Sequence, residues 1–179
     1  MQFGIFDHLD RRDEPLHDFY DDRMKLAAAA ERLGFYAYHI AEHHGTPLGM
    51  APSPSVFLAA LAQRTSTIRI GPMVYLLALY PPLRLIEEIS MVDNLSGGRL
   101  ETGVGRAVSP HESRFYGVDP EDGWDHFAEA LDVIMSGLYS DRLTWDRARL
   151  PYANVPIELH PMQAPVPPLS APSPPARRD

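Results

Sequence analysis

The sequence contains no cysteine, so it can form no disulfide, thiolate nucleophile or cysteine-based zinc site. It has no run near the roughly 18 apolar residues of a membrane span, and its start lacks the basic and then apolar order of a signal peptide. Lys25 is the only lysine, and the net charge of −8 disfavours a nucleic-acid partner. These absences predict a cytoplasmic globular protein that binds neither membrane nor nucleic acid and acts on a small molecule.

The composition predicts one folded unit followed by a tail. The chain has 179 residues, of which 45% are hydrophobic, and this suits a single domain with a buried core. Seven of its 18 prolines lie between residues 161 and 175. Proline lacks the N–H that a helix or strand ladder needs. We therefore expect an ordered domain over residues 1–160 and a proline-rich, disordered tail over residues 161–179.

Residues 1–160 alternate β-rich and helical patterns. Strands are predicted at 3–6, 36–41, 68–77 and 99–105. Helices are predicted at about 18–33, 54–64, 82–96 and 120–138. Gly34 and Gly97 stand where the first and third helices end, and Pro54 stands at the first position of the second. This order predicts an α/β fold whose parallel strands are joined by right-handed helical crossovers.

Two α/β architectures fit this order of elements. A doubly wound open sheet of four or five strands suits 179 residues. A (β/α)8 barrel needs about 250 residues, so the length alone favours the open sheet. In both architectures, binding and catalytic residues lie at the carboxyl ends of the parallel strands. The functional residues are therefore expected directly after each predicted strand.

Polar or aromatic residues follow all four predicted strands. They are Asp7 and His8, Glu42 with His43 and His44, the region of Tyr75, and Gly105 with Arg106. Because the ends of parallel strands meet at one rim, this pattern predicts one site there. A histidine titrates near neutral pH and suits a general base or a hydrogen-bond donor. The alternative is a rim histidine that only caps a loop.

Two partial motifs point to weaker hypotheses. His39, His43 and His44 resemble a metal-binding group, but adjacent residues of a strand point to opposite faces, and we expect no metal site. The GVGR segment at 103–106 suits a phosphate-binding turn, because glycine permits close approach and arginine binds phosphate bidentately. Val108 stands where a nicotinamide-binding fingerprint needs glycine. An ordinary turn with a surface arginine is the alternative.

Several short segments together resemble the bacterial luciferase-like flavin-dependent monooxygenases, from Met1 to about Leu169. The segments are AEHHG at 41–45, IGPMV at 70–74, PPLR at 81–84, DNLSGGRL at 93–100 and GVGR at 103–106. The resemblance implies a TIM-type (β/α)8 barrel with its cofactor at the carboxyl ends of the strands. This chain would then supply only about the first four β/α units, a half barrel.

The resemblance also implies a chemistry and its residues. The family oxidises a small organic substrate with O2 and reduced FMN, which a separate flavin reductase often supplies, and some relatives use a deazaflavin. His43 matches the family's active-site histidine, a candidate acid or base. Met73 and Val74 match the position of a non-prolyl cis peptide beneath the flavin ring. Gly105 and Arg106 match the segment that approaches the FMN phosphate.

Two departures from the family affect the prediction. Ala107 replaces the glycine that usually follows the arginine of GVGR. After Leu169, residues rich in alanine, proline, serine and arginine stand in place of the family's fifth strand. We therefore expect a truncated, impaired monooxygenase that binds FMN weakly and forms homo-oligomers through its exposed strand edges. The alternatives are a non-catalytic half-barrel fragment, a self-associating interaction module, or an unrelated four-stranded α/β binding domain.

Overall fold

The computed structural model describes residues 1–107, 109–147 and 149–171. The helices are α1 (Leu16–Arg32), α2 (Pro54–Ala62), α3 (Pro82–Ser96), α4 (Pro110–Phe115) and α5 (Gly123–Leu138). The strands are β1 (Gly4–Asp7), β2 (Ala37–Ile40), β3 (Arg69–Pro72), β4 (Tyr75–Leu76), β5 (Thr102–Gly105), β6 (Arg142–Trp145), β7 (Tyr152–Pro156) and β8 (Leu169–Ser170). None of the described helices combines the length and hydropathy needed to cross a bilayer.

The parallel strands follow one another in sequence order across the sheet. Hydrogen bonds join them as β1-β2-β3 and as β4-β5-β8, and a bridge between Ile70 and Leu100 links the two groups. A doubly wound sheet would reverse its strand order at a switch point, and this sheet does not. The expectation drawn from length was therefore wrong. Within the described residues the sheet does not close, because β1 pairs only with β2 and β8 only with β5.

The third predicted strand, 68–77, is divided in two. β3 pairs with β2 and ends at Pro72, whereas β4 begins at Tyr75 and pairs with β5. Pro72 has no N–H to continue the ladder, so the chain changes neighbour at this point. The peptide bond between Met73 and Val74, in the gap between the strands, is cis, as the resemblance implied.

Local sequence signals place the end of α3 correctly, whereas the helix predicted from about residue 120 begins at Gly123, after a 3-10 turn at Pro120–Asp122. α3 ends at Ser96 and is followed by Gly97, whose φ of 67° is the left-handed conformation that glycine adopts without steric cost. The N–H groups of Gly97 and Gly98 donate to the carbonyls of Asn94 and Asp93, which satisfies the last turn of the helix. The DNLSGG segment is therefore a helix end followed by a turn, as its glycines predicted.

The four longer helices cover one face of the sheet. Tyr38, Ile70 and Val104 are fully buried in the core that these helices form with the strands. Phe6 and Met73 belong to the other side and keep 45% and 44% of their surface exposed. The sheet therefore has a covered face and an open face, and the open face is available to form a cavity.

Residues 161–171 lie against the fold and are not the disordered tail that their prolines predicted. Gln163 donates from its backbone N–H and its side-chain amide to the buried carboxylate of Asp93. The carbonyl of Pro168 accepts from the N–H of Thr102, and Leu169 starts β8 beside β5. Proline keeps its carbonyl acceptor, so a proline-rich segment can still bond to a strand edge. The rest of the predicted tail, 172–179, lies outside the described residues.

Glu31, in the last turn of α1, accepts hydrogen bonds from the segment that leads into β3. Its Oε1 receives the backbone N–H groups of Ser66 at 2.8 Å, Thr67 at 2.6 Å and Ile68 at 2.9 Å. Partial burial opposes ionisation, but these donors outweigh it and lower the pKa of Glu31 to about 2. One carboxylate thereby orders the connection between α2 and β3.

Glu31→Ala should lower the free energy of unfolding by about 2 kcal/mol at neutral pH, because three N–H groups lose a charged acceptor. The unfolded chain binds a proton at Glu31 more tightly than the folded chain does. The wild type should therefore lose much of this contribution as the pH falls from 4.5 to about 2. Urea unfolding over that pH range measures both effects. An alanine variant with the same acid-induced loss as the wild type would contradict the assignment, and Glu87→Ala, at an exposed site on α3, is the control.

Candidate active site

A cavity of about 510 Å³ lies at the carboxyl ends of β1, β2, β4 and β5. Most of its wall is apolar, from Phe6, Met73, Val74, Leu76, Val104 and Trp124. Its polar side chains include His8 and Arg106, which directly follow β1 and β5, and His43, which lies three residues after β2. The strand ends therefore meet at one rim, as predicted, but Asp7, His44 and Tyr75 do not line the cavity. Tyr75 is instead fully buried, with its hydroxyl 2.8 Å from that of Ser55, and Asp7 accepts from the hydroxyl of Tyr38. All five residues that the resemblance selected, namely His43, Met73, Val74, Gly105 and Arg106, line this cavity.

His43 is held by contacts from three other parts of the chain. Its Nδ1 lies 3.1 Å from Oε1 of Glu112, which belongs to α4. Its ring stacks on that of His8, with 6.2 Å between centroids and 10° between planes. Gly49 packs against it so closely that a Cβ there would approach the Cβ of His43 to 3.1 Å. The imidazole therefore has a defined orientation beside the cavity.

The three neighbouring histidines of the sequence do not meet. His39 Nε2 lies 3.2 Å from Glu101, and His43 Nδ1 lies 3.1 Å from Glu112. His44 Nε2 lies 2.8 Å from a third carboxylate. Each ring is therefore paired with a different glutamate, and the described residues contain no group of three or more potential metal ligands.

Glu42 is the third carboxylate, and it links the end of β2 to β4. It is only 3% exposed, and its Oε1 lies 2.8 Å from His44 Nε2. Its Oε2 accepts from the hydroxyl of Tyr80 at 3.0 Å and from the N–H of Leu76 at 3.2 Å. Burial raises the pKa of Glu42, although these partners oppose the shift. The tyrosine hydroxyl of Tyr116 continues the chain of contacts at 2.8 Å from His44 Nδ1.

Arg106 brings a positive charge to a mostly apolar cavity. Its guanidinium lies over the ring of Trp124, with 5.1 Å from Cζ to the ring centroid. In the described part of the chain, no carboxylate lies within ion-pair distance of this guanidinium. A guanidinium with free donors beside a cavity suits an anionic group such as a phosphate.

The glycines of GVGR, Gly103 and Gly105, allow another segment of this chain to pack closely against β5, in addition to any ligand. A Cβ at Gly103 would lie 2.6 Å from the carbonyl oxygen of Pro72, and a Cβ at Gly105 would collide with the side chain of Val74. β5 can therefore approach the segment with the cis peptide only because both positions are glycine. Ala107, where the family usually has glycine, has a φ of 69°, which costs a non-glycine residue about 1 kcal/mol.

Glu112 and Trp124 are site residues that the sequence interpretation missed. No helix was predicted at 110–115, and the helix predicted at about 120–138 was not expected to contribute to the site. A signal for α4 was present, because Ser109 and Glu112 have the spacing of a capping box. Ser109 Oγ accepts from the N–H of Glu112 at 3.4 Å, as that motif predicts. No local signal placed Glu112 beside His43, which is 69 residues away.

Residues 1–176 match the family model for luciferase-like monooxygenases. The chain belongs to this family. Its identity to protein y4wF of Sinorhizobium fredii is 47% over 168 residues, which are 94% of this chain and 49% of that protein. It is 34% identical to 4-hydroxyprotoasukamycin monooxygenase of Streptomyces nodosus subsp. asukaensis, over 71% of this chain and 36% of that one. The oxygenase component of flavin-dependent trigonelline monooxygenase from Acinetobacter baylyi is 29% identical, over 75% of this chain and 38% of that protein.

Solved structures share the fold. Monooxygenase RslO1 from Streptomyces bottropensis superposes with a TM-score of 0.91 at 27% identity, over 96% of this chain and 53% of that one. The oxygenating constituent of 3,6-diketocamphane monooxygenase from Pseudomonas putida, in complex with FMN, gives a TM-score of 0.83 at 23% identity, over 96% of this chain and 51% of that one. The coenzyme F420-dependent tetrahydromethanopterin reductase of Methanopyrus kandleri gives a TM-score of 0.74 at 20% identity, over 95% of this chain and 49% of that one. The matched regions thus make up 36% to 53% of the length of these proteins.

Proposed function

We propose that this chain carries the flavin-facing part of an FMN-dependent monooxygenase site that oxidises a small organic substrate with O2 and reduced flavin. The observation that carries the proposal is one cavity that combines apolar walls, the charge of Arg106, without an ion-pair partner among the described residues, and the imidazole of His43. Apolar walls suit a planar ring system, and a guanidinium suits a phosphate. These residues therefore fit FMN.

Each residue has a role in this proposal. Arg106 and the backbone at Gly105 would hold the phosphate, while Met73 and Val74 would contact the ring system. His43 would exchange a proton with the reacting groups through its Nε2. Bound reduced flavin would supply the electrons with which O2 is activated. The FMN complex of the diketocamphane relative supports FMN, and the F420-dependent neighbour keeps a deazaflavin as the alternative cofactor.

The proposed monooxygenase function also implies particular partners. A relative is described as the oxygenase component of a flavin-dependent enzyme, and this supports a separate flavin reductase as the source of reduced FMN. The substrate is a small organic molecule, and neither nucleic acid nor membrane is a proposed partner. The proposed location is the cytoplasm.

We further propose that the 179-residue chain forms about four β/α units of a barrel and binds FMN weakly by itself. Its sheet has two edges without partners in the described residues, at β1 and β8, and a cavity open on the side of Phe6 and Met73. Such edges favour self-association, so a homo-oligomer is expected. A non-catalytic module that self-associates is the second candidate function, and the 63% exposure of Phe3 beside β1 favours it.

FMN titration followed by backbone amide NMR shifts tests both proposals. We expect shifts confined to the cavity and no saturation at micromolar FMN, because the cavity is open on the side of Phe6 and Met73. Arg106→Gln should weaken binding about tenfold, since it removes the charge that pairs with the phosphate. Arg32→Gln, at an exposed site on α1, should change nothing.

Each other outcome has a clear meaning. Saturation at micromolar FMN would contradict weak binding but support the flavin site. An absence of cavity shifts at millimolar FMN would contradict the flavin site. Light scattering that shows an oligomer in that last case would support the self-associating module.

A further inference from the structure

Glu112 connects α4 to two consecutive residues at the end of β2. Its Oε1 lies 3.1 Å from Nδ1 of His43 and 3.1 Å from the backbone N of His44. The glutamate is 5% exposed, so water competes little for this oxygen. A single buried oxygen atom therefore contacts both the ring and the backbone of the histidine pair.

These contacts determine where the ring proton of His43 lies. A backbone N–H can only donate, so Oε1 of Glu112 acts as an acceptor toward His44. The same oxygen accepts from His43 only if Nδ1 carries a proton. In the opposite tautomer, the lone pair of Nδ1 would face the lone pairs of a carboxylate. In the described residues, no protein atom forms a hydrogen bond with Nε2 of His43.

We infer that Glu112 is a positioning residue that holds neutral His43 in its Nδ1–H tautomer and leaves the Nε2 lone pair available at the cavity. A lone pair at Nε2 lets the ring accept a proton from a bound molecule, and the protonated ring can return it from the same atom. The use of that lone pair in oxidation rests on the proposed function. The tautomer itself requires only the contacts within this chain.

Two further contacts keep the ring in this orientation. His8 stacks on one face of the His43 ring. Gly49 packs closely against the Cβ and Cδ2 of His43 and restricts movement of the ring toward the loop that contains Gly49. Ser109 caps α4 at the N–H of Glu112, which fixes the start of the helix that carries the carboxylate. Neither stacking nor packing distinguishes the two ring nitrogens, so the choice of tautomer depends on Glu112.

The test is a long-range 1H–15N correlation spectrum of the 15N-labelled chain, recorded without flavin at mildly alkaline pH. His43→Gln identifies the signals of this ring. In the wild type we expect Nδ1 at the shift of a protonated nitrogen and Nε2 at that of an unprotonated one. Glu112→Gln should retain this pattern, because its amide oxygen still accepts. Glu112→Ala should lose it, with both nitrogens moving toward the values of free histidine.

Glu121→Ala, at an exposed acid before α5, is the matched control and should leave the His43 signals unchanged. A wild-type ring protonated at Nε2 would overturn the inference. A folded Glu112→Ala variant, judged by circular dichroism, that keeps the wild-type pattern would overturn it as well. Should the alanine variant not fold, the wild-type and glutamine spectra decide. Because no flavin is present, failure of FMN to bind would contradict only the proposed function.

Discussion

Arg99→Ala should lower the free energy of unfolding by about 4 kcal/mol, since it leaves several buried acceptors without a donor. All five guanidinium N–H groups of Arg99 are used. They donate to the carbonyls of Ser96, Ala62, Thr65 and Ile68 and to the hydroxyl of Thr65, at 2.7 to 3.1 Å. Arg99 thereby joins the end of α3 to the end of α2 and to the segment before β3.

The geometry of this guanidinium is as important as its charge. Arg99→Lys keeps the charge but has three donors on one nitrogen, so we expect it to recover only part of the lost stability. Arg32→Ala removes an exposed arginine at the end of α1 and should cost less than about 0.5 kcal/mol. Urea unfolding monitored by circular dichroism gives these free energies. If Arg99→Ala lost no more stability than Arg32→Ala, the proposed stabilising role of the Arg99 hydrogen bonds would be refuted.

Glu42→Ala should cost about 3 kcal/mol, because it leaves polar partners buried without an acceptor. The carboxylate meets His44 through one oxygen, and Tyr80 and the N–H of Leu76 through the other. The loss should extend to the site, since these contacts fix β4 beside the end of β2. We expect the backbone amide signals of Leu76 and His43 to move in the NMR spectrum of the variant.

Two variants control for the change of size and charge at Glu42. Glu42→Gln keeps an oxygen that accepts from Tyr80 and Leu76, so it should lose about half as much stability as the alanine variant. Glu87→Ala, at an exposed site on α3, should leave the unfolding midpoint within about 0.5 kcal/mol of the wild type. A glutamine variant as unstable as alanine would show that the negative charge, and not the acceptor oxygens, provides the stability.

Elements with local signals were predicted well. α2 begins at Pro54 and α3 ends directly before Gly97, as the proline and the glycine predicted, because both effects depend only on the backbone of the residue itself. The hydroxyl of Ser53 forms no capping hydrogen bond, so proline alone marked that start. The antiparallel pair β6 and β7 was not predicted, because its pairing depends on contact between the two strands.

The site was predicted in part, because only some of its residues have a local signal in the sequence. Residues near the ends of strands, such as His43 and Arg106, could be selected because parallel strands end at one rim. Trp124 lines the cavity from α5, and Glu112 contacts His43 from α4. Both contacts cross long stretches of chain, and no spacing in the sequence encodes them.

The alternation of the four predicted strands with helices, the family and the residues near the strand ends could be determined from the amino-acid sequence alone, since each depends on neighbours along the chain. The tertiary structure decided three other matters: the sequential order of strands in the sheet, the pairing of each histidine with a different glutamate, and the ordered path of residues 161–171. These depend on contacts between residues far apart in sequence, where packing and hydrogen-bond satisfaction select one arrangement among several that the local patterns allow.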